Sequence, residues 1–233
     1  MPGDIRLSDF EAICPAGWTE ALAGQSRGFR VTSALHRLFN SIGAAKEADF
    51  ALVDLGPNVN ALNRNALIAS DGFVVPLSPD LFSVRALPSV GGSISQWVSQ
   101  WKTATDKTPD VVDFLLPKGR PIPLGYVSQQ YSVHSGDLSE AYQRWADKIP
   151  EAYESGVLEP LGKVKISKNE EVENRLASLK NLASLVPKAQ QYNKAVFELT
   201  GREARGAHHK KAKDTKAEFI ELAKKILEQL NEG

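Results

Sequence analysis

The run Ala48-Asp49-Phe50-Ala51-Leu52-Val53-Asp54-Leu55-Gly56-Pro57-Asn58 decides how this chain is read. Residues 50–55 are apolar apart from Asp54, and Gly56-Pro57 stops them. An apolar run of that length between such flanks predicts a strand buried on both faces. It places a carboxylate at the tip of the strand, where burial is costly unless a cation or hydrogen-bond donors meet the charge.

Working outward, the pattern alternates. Ser8-Asp9-Phe10-Glu11 has the capping-box form and predicts a short helix interrupted at Pro15. Between residues 29 and 46, Val31, Leu35, Leu38, Phe39 and Ile42 recur at helical spacing. A short helix is expected over residues 63–69, a second buried strand over 72–77 and a helix over 83–105. A proline-rich connection follows over 109–123, then a third strand over 124–128 and helix over 137–154 with a break at Pro150. Residues 163–173 read as a polar loop. Beyond it, 176–182 and 195–199 are strand candidates around a helix near 187–192. Thr215-Lys216-Ala217-Glu218 is a second capping box, opening a last helix with Phe219, Ala223, Ile226 and Leu230 on one face. Strands alternating with helices predict an α/β fold with a largely parallel sheet flanked by helices and a helical C-terminus. The expected division is residues 1–200 as one domain, with 201–233 a C-terminal helix packed on it. Ligands of such sheets sit beyond the carboxyl ends of the strands.

Composition bounds the class. The 233 residues carry 28 basic and 28 acidic side chains and 42% hydrophobic residues, an ordinary globular balance. Cys14 is the single cysteine, so neither an internal disulfide nor a cysteine-based zinc cluster is available. No apolar run approaches the roughly 18–20 residues needed to cross a bilayer. The start, Met-Pro-Gly-Asp-Ile-Arg, lacks the basic and apolar regions of a signal peptide. A cytoplasmic protein without membrane contact is expected. From Lys163 onward there are 15 Lys/Arg against 10 Asp/Glu, and the first 162 residues hold 13 against 18. A basic tail on an acidic body permits contact with nucleic acid, and solvated helix faces give the same count.

Two readings fit Asp54. In a P-loop nucleoside triphosphatase such a carboxylate holds Mg²⁺ through water, and the next glycine senses the γ-phosphate. Alternatively, Asp54 caps a neighbouring helix. The longer pattern adds to this. The run from Ala48 to Asn58, then Asn63-Arg64-Asn65-Ala66-Leu67-Ile68-Ala69-Ser70-Asp71, then Val74-Val75-Pro76-Leu77-Ser78-Pro79-Asp80-Leu81-Phe82-Ser83 resembles the ParA family. These are deviant Walker-type ATPases, relatives of MinD and Soj, that segregate plasmids and chromosomes. Residues 2–11 and Ser184-Leu185-Val186-Pro187-Lys188-Ala189-Gln190 also look like segments of that family, so the resemblance extends over nearly the whole chain.

The resemblance implies roles. Asp54 matches the Walker B aspartate that positions Mg²⁺ and the attacking water. Gly56 and Pro57, with Asn58 behind them, match the switch II turn. Pro79 and Asp80 fall where relatives approach the nucleotide and the dimer contact. Gln129 and Gln130 follow the third strand, in the region that often reads the adenine base. Lys210, Lys211, Lys213 and Lys216 are candidates for contacts to the DNA backbone. The family implies ATP and Mg²⁺ as cofactors, a nucleotide-dependent homodimer, non-specific DNA and a ParB-like partner, with a nucleoid location when DNA is bound.

One departure is large. The family's glycine-rich K-G-G-x-G-K-[ST] loop, whose amides and lysines cradle phosphates, is missing. Gly201-Arg202-Glu203-Ala204-Arg205-Gly206 has related spacing, but Ala207-His208 follows it. The chain by itself is therefore expected to bind ATP poorly and to hydrolyse almost none. Met1 falls where the family has a mid-chain residue, so a truncated or misassigned start is expected, the alternatives being a rearranged sheet or a partner that covers the edge the missing strand leaves. Without the loop's strand, residues 50–55 are expected to present an unpaired apolar edge. The alternative function is a catalytically inactive, ParA-like interaction module without nucleotide binding. Trp97 and Trp101 read as packing residues, His208-His209 as part of a solvated basic patch, and His36, His134 and Cys14 as ordinary residues.

Overall fold

The computed structural model describes residues 7–231 except 57, 132, 135, 136, 139, 169, 181, 183, 184 and 205. Its elements run α1 (Leu7–Leu22), α2 (Ser26–Thr32), α3 (Ala34–Lys46), α4 (Ala61–Ala69), β1 (Gly72–Leu77), α5 (Leu81–Thr105), β2 (Ile122–Tyr131), β3 (Val133–His134) and β4 (Asp137–Leu138). Then follow α6 (Glu140–Ala146), α7 (Ile149–Tyr153), a π-helical turn (Glu154–Leu158), α8 (Glu159–Lys163), β5 (Arg175–Lys180), α9 (Leu185–Tyr192), a 3₁₀ turn (Val196–Glu198) and α10 (Ala207–Asn231). Strands β1, β2 and β5 make a three-stranded parallel sheet in that order, flanked by helices. The fold is α/β and mostly helical.

The sheet is smaller than expected because residues 50–55 are not in it. The chain from Phe50 to Gly56 runs without helix, strand, turn or bend, and Leu52 is 94% exposed. A strand exists only where a neighbouring edge takes up its N–H and C=O groups, and among the described residues none does so here. Residues 195–199, also expected as a strand, contain a 3₁₀ turn instead. There the Glu198 carboxylate accepts from the Ala195 N–H (3.1 Å), a local bond that curls the backbone.

Helix boundaries also differ from expectation: residues 137–154 begin with β4 and continue as α6 and α7, broken at residues 147 and 148, with Pro150 inside the first turn of α7. Helix α1 passes Pro15 without interruption. The amphipathic stretch over 29–46 is two helices that meet at Ser33, whose hydroxyl donates to the Phe29 carbonyl (2.7 Å). The last helix begins at Ala207, and Thr215 lies inside it with its hydroxyl donating to the Lys211 carbonyl (2.8 Å). A serine or threonine hydroxyl satisfied by the preceding turn is indistinguishable in sequence from one capping the next.

The chain forms two compact units. The first comprises Met1–Phe73, Pro88–Pro123 and Ser155–Ser167. In it α1 packs against α2 and α4. The α1–α2 approach is so close that a Cβ at Gly28 would fall 2.1 Å from the Ala21 nitrogen, so only glycine fits. Trp18, Phe29 and Trp101 form the aromatic centre. The two indoles stack at 5.9 Å, Phe29 leans on Trp101 at 6.0 Å, and the Trp101 Nε1–H donates to the Pro117 carbonyl (3.0 Å). Trp101 is thus the packing residue expected. Helix α5 meets the π-helical turn at Gly91, where a Cβ would lie 2.0 Å from the Gly156 carbonyl oxygen.

The second unit comprises Val74–Leu87, Leu124–Glu154 and Lys168–Gly233, so residues 201–233 belong with 168–200. It holds most of the sheet, with β2 pairing to β5 through Val127 opposite Ala177 and Ser128 opposite Ser178. Tyr126 on β2 packs its ring against Tyr153 (5.2 Å), and burial pushes both hydroxyls up. A separate cluster of Leu185, Ala189, Leu199, Ala204 and Ala212 seats α10. The rings of Phe197 and Phe219 meet there at 5.7 Å.

Candidate functional site

Asp54 lies in the irregular stretch between α3 and α4. Helix α3 ends at Lys46 with Glu47 in the left-handed conformation (φ 50°). At the far end the stretch is moored to α4. The Asn60 side chain caps the helix by accepting from the Asn63 N–H (2.8 Å), and the Asn63 amide donates to the carbonyls of Gly56 (2.8 Å) and Asn58. Gly56 and Asn58 are exposed, their carbonyls tied to the helix start. Between these anchors Asp54 is exposed, and neither of its readings has a partner in place: it caps no helix among the described residues. Pro57 lies outside the described residues.

Directly behind this stretch α4 carries a polar cluster that the sequence reading passed over. Arg64 lays its guanidinium over the Trp18 ring at 4.2 Å. Its Nε and Nη2 atoms are buried with no hydrogen-bond acceptor. Burial pulls its pKa down to about 10, with the Cys14 thiol acting slightly against that shift. Next to it Asn65 is completely buried, and neither amide atom has a partner of hydrogen-bond geometry. Cys14 is also fully buried, and its thiol donates to the Phe10 carbonyl (3.2 Å). Burial raises the thiol pKa against the lowering influence of Arg64; Glu11 raises it further and the Asn65 amide lowers it. Such a thiol is inert. The available signal was Asn63-Arg64-Asn65, three polar residues in a row inside an otherwise apolar helix, which forces at least one inward.

The other candidates are dispersed. Pro79 is buried, and Asp80 is the N-cap of α5: one carboxylate oxygen accepts from the Ser83 N–H (2.8 Å), the other from the Ser83 hydroxyl (3.2 Å). The helix-capping role weighed for Asp54 thus falls to Asn60 and Asp80. Gln130 is described only as a backbone position in β2. Lys210, Lys213 and Lys216 are exposed in the first half of α10, and Lys211 is half-buried. Farther along the helix Lys224 pairs with Glu221 (2.7 Å) and Lys225 with Glu173 (3.6 Å). His36 contacts the Ala69 carbonyl (3.3 Å) and His209 the Leu199 carbonyl (3.2 Å), both ordinary polar contacts.

These residues do not fit a Mg²⁺–triphosphate complex. Such a complex needs a carboxylate held at a strand tip beside a cradle of amides and a lysine. Here the carboxylate sits on an unpaired stretch and the cradle sequence is missing. Among the described residues no group of three or more His, Cys, Asp or Glu side chains could hold a metal ion, and no helix is long and apolar enough to cross a membrane.

The architecture places the chain in the α/β class, with a short parallel sheet among helices. Within that class its fold is similar to the crystal structure of protein DIP2308 from Corynebacterium diphtheriae, with a TM-score of 0.52 and 24% identity. The alignment covers 67% of this chain and 55% of that one, so the chain spans little more than half its neighbour's length. At this identity the likeness concerns the fold alone. No protein-family model and no curated protein matches the sequence.

Proposed function

We propose that this chain belongs to a ParA-type partition ATPase, with ATP binding, DNA binding and a ParB-like partner being properties of the intact protein. The observation that carries the reading is the block from Asp49 to Ser83, whose residues follow the family's Walker B and switch region in order. The α4–β1–α5–β2 succession with a parallel sheet supports it at the level of fold. The exposed lysines at the start of α10 support the DNA contact, which salt would weaken steeply.

The test is an ATPase assay on a version extended upstream to include a glycine-rich lysine loop. That version hydrolyses ATP, and Asp54→Ala lowers the rate at least about 100-fold, the scale of losing one preorganised charge contact. Full activity in Asp54→Ala removes Asp54 from the mechanism.

A second reading, a ParA-like interaction module without nucleotide binding, is favoured for the chain by itself by the exposed, strand-free setting of Asp54. Calorimetry with Mg-ATP separates the two. Heat of binding saturating at one site on the chain as given contradicts the second reading; its absence, with binding restored in the extended version, supports the first.

A further inference from the structure

Two arginines share one phenyl ring beside the joint of α2 and α3. The guanidinium carbon of Arg30 stands 5.1 Å from the centroid of the Phe114 ring, and that of Arg37 stands 4.9 Å from it. The two like charges are therefore at most about 10 Å apart. All three residues belong to the first compact unit. Arg37 is fixed in place: its Nη2 donates to the Arg30 carbonyl (2.8 Å) and its Nε to the hydroxyl of the fully buried Ser33 (3.4 Å). Those bonds occupy its side-on edge and leave its end-on fork, Nη1 with the second Nη2 hydrogen, unused. Arg30 is exposed, and its guanidinium makes no hydrogen bond among the described residues. Neither arginine has an ion-pair partner among them. Arg27, one turn earlier, is paired with Glu20, so the shortage of counter-charge belongs to the pair on the ring. The carboxylates nearest Phe114 in sequence, Asp110 and Asp113, are exposed and reach neither guanidinium.

We propose that Arg30, Arg37 and Phe114 form a binding site for a phosphomonoester. The charge count selects the ligand. Two guanidinium groups converging on one ring match a single group that carries two negative charges and three acceptor oxygens. A phosphodiester carries one charge per phosphate and neutralises only one of the two. Arginine suits the task, because its planar fork takes two oxygens at once while its face stays on the ring. The shared ring holds the forks at a set separation, so less rotamer freedom is lost when the ligand arrives. On the same connection Val111 and Leu115 are 69% and 60% exposed, apolar surface for the body that carries the phosphate. A free phosphorylated metabolite and a phosphorylated side chain of a partner protein both present this chemistry. The site uses no residue of the block from Asp49 to Ser83, so it stands apart from the nucleotide reading.

The test titrates O-phosphoserine into the full chain at low ionic strength and follows the arginine Nε–H resonances. Those of Arg30 and Arg37 shift together and saturate with a dissociation constant of about 1 mM, the range for exposed charge contacts. Arg30→Gln, at an exposed side chain with no hydrogen bond to lose, weakens binding at least about tenfold and leaves the melting temperature unchanged. Arg30→Lys keeps the charge, loses the fork and recovers only part of the affinity. Lowering the pH below about 6 removes the second phosphate charge. It weakens binding to the native chain several-fold and to Arg30→Gln far less. A phosphoserine peptide with apolar flanks that binds at least about fivefold tighter than the free amino acid assigns the site to a partner protein. Equal affinity assigns it to a metabolite, and the proposal holds in both cases. No shift at Arg30 and Arg37 up to about 20 mM, or undiminished binding in Arg30→Gln, overturns it. So does duplex DNA that binds as tightly per phosphate with the same loss in Arg30→Gln, because the pair is then a diester contact.

Discussion

Arg64→Met isolates the cost of an unmet guanidinium. In the native chain Nε and Nη2, the two nitrogens of one bidentate edge, are buried without an acceptor. Each buried donor left unsatisfied costs about 1–3 kcal/mol, or about 2–6 kcal/mol for the pair. Against this stands the stacking on Trp18 at 4.2 Å, worth about 0.5–2 kcal/mol for a partly desolvated cation over an indole. Methionine keeps an unbranched stem that packs on the Trp18 ring and removes both donors, at a small packing loss because it is shorter. The expected balance is a gain of about 1–3 kcal/mol, in line with the general finding that apolar replacement of poorly compensated buried charge is neutral or stabilising. In melting temperature that is about 3–9 °C for a chain of this size. Urea unfolding followed by tryptophan fluorescence is the assay, since Trp18, Trp97 and Trp101 all lie in the first compact unit. Arg64→Lys is the control: it keeps the charge, loses the planar stack and falls below the native chain. A loss of more than about 1 kcal/mol in Arg64→Met would refute the reasoning, because it means the guanidinium edge is satisfied by something bound in solution.

Two further outcomes follow from the packing and the charges. Gly28→Ala drives a methyl into the α1 backbone, with Ala21 N at 2.1 Å and Gly17 O at 2.7 Å. It should cost about 3 kcal/mol or more, the upper range for overpacking where backbone must move, read as a shift of the urea midpoint. Glu203 takes a charge-assisted hydrogen bond from Lys194 (2.7 Å) and another from the Thr200 N–H (2.7 Å), which together pull its carboxyl down to about 2. A folded value below the unfolded one of about 4.3 means the contribution is complete above that pH and disappears as pH falls toward 2. Glu203→Gln should flatten the acid limb of stability in that window and leave the neutral range parallel to the native chain; an unchanged acid limb contradicts the assignment.

The α/β class was legible because period and punctuation act locally. Gly72 to Leu77, bounded by Asp71 and Ser78-Pro79, is a strand with the limits read from the chain, and Leu176 to Lys180 lies within β5. The core role of Trp101 followed from its place on an apolar helix face. Pro15 misled because a helix interior tolerates proline when packing on both sides of it outweighs the lost bond, and α1 is held by α2 and α4. Thr215 misled because its hydroxyl serves the turn behind it.

The candidate site divides along the same line. Sequence alone determined that residues 50–55 are apolar, extended in preference and tipped by a carboxylate, because side-chain chemistry and the Gly-Pro stop are local properties. Whether they form a strand was decided only in three dimensions, since a ladder needs another segment's donors and acceptors, and none of the described residues offers them. For the Cys14–Arg64–Asn65 cluster the sequence showed only that one of three consecutive polar residues in α4 must turn inward, not which residues it would meet. The cluster's members come from α1 and α4, and only the packing of those helices strips the water from the arginine.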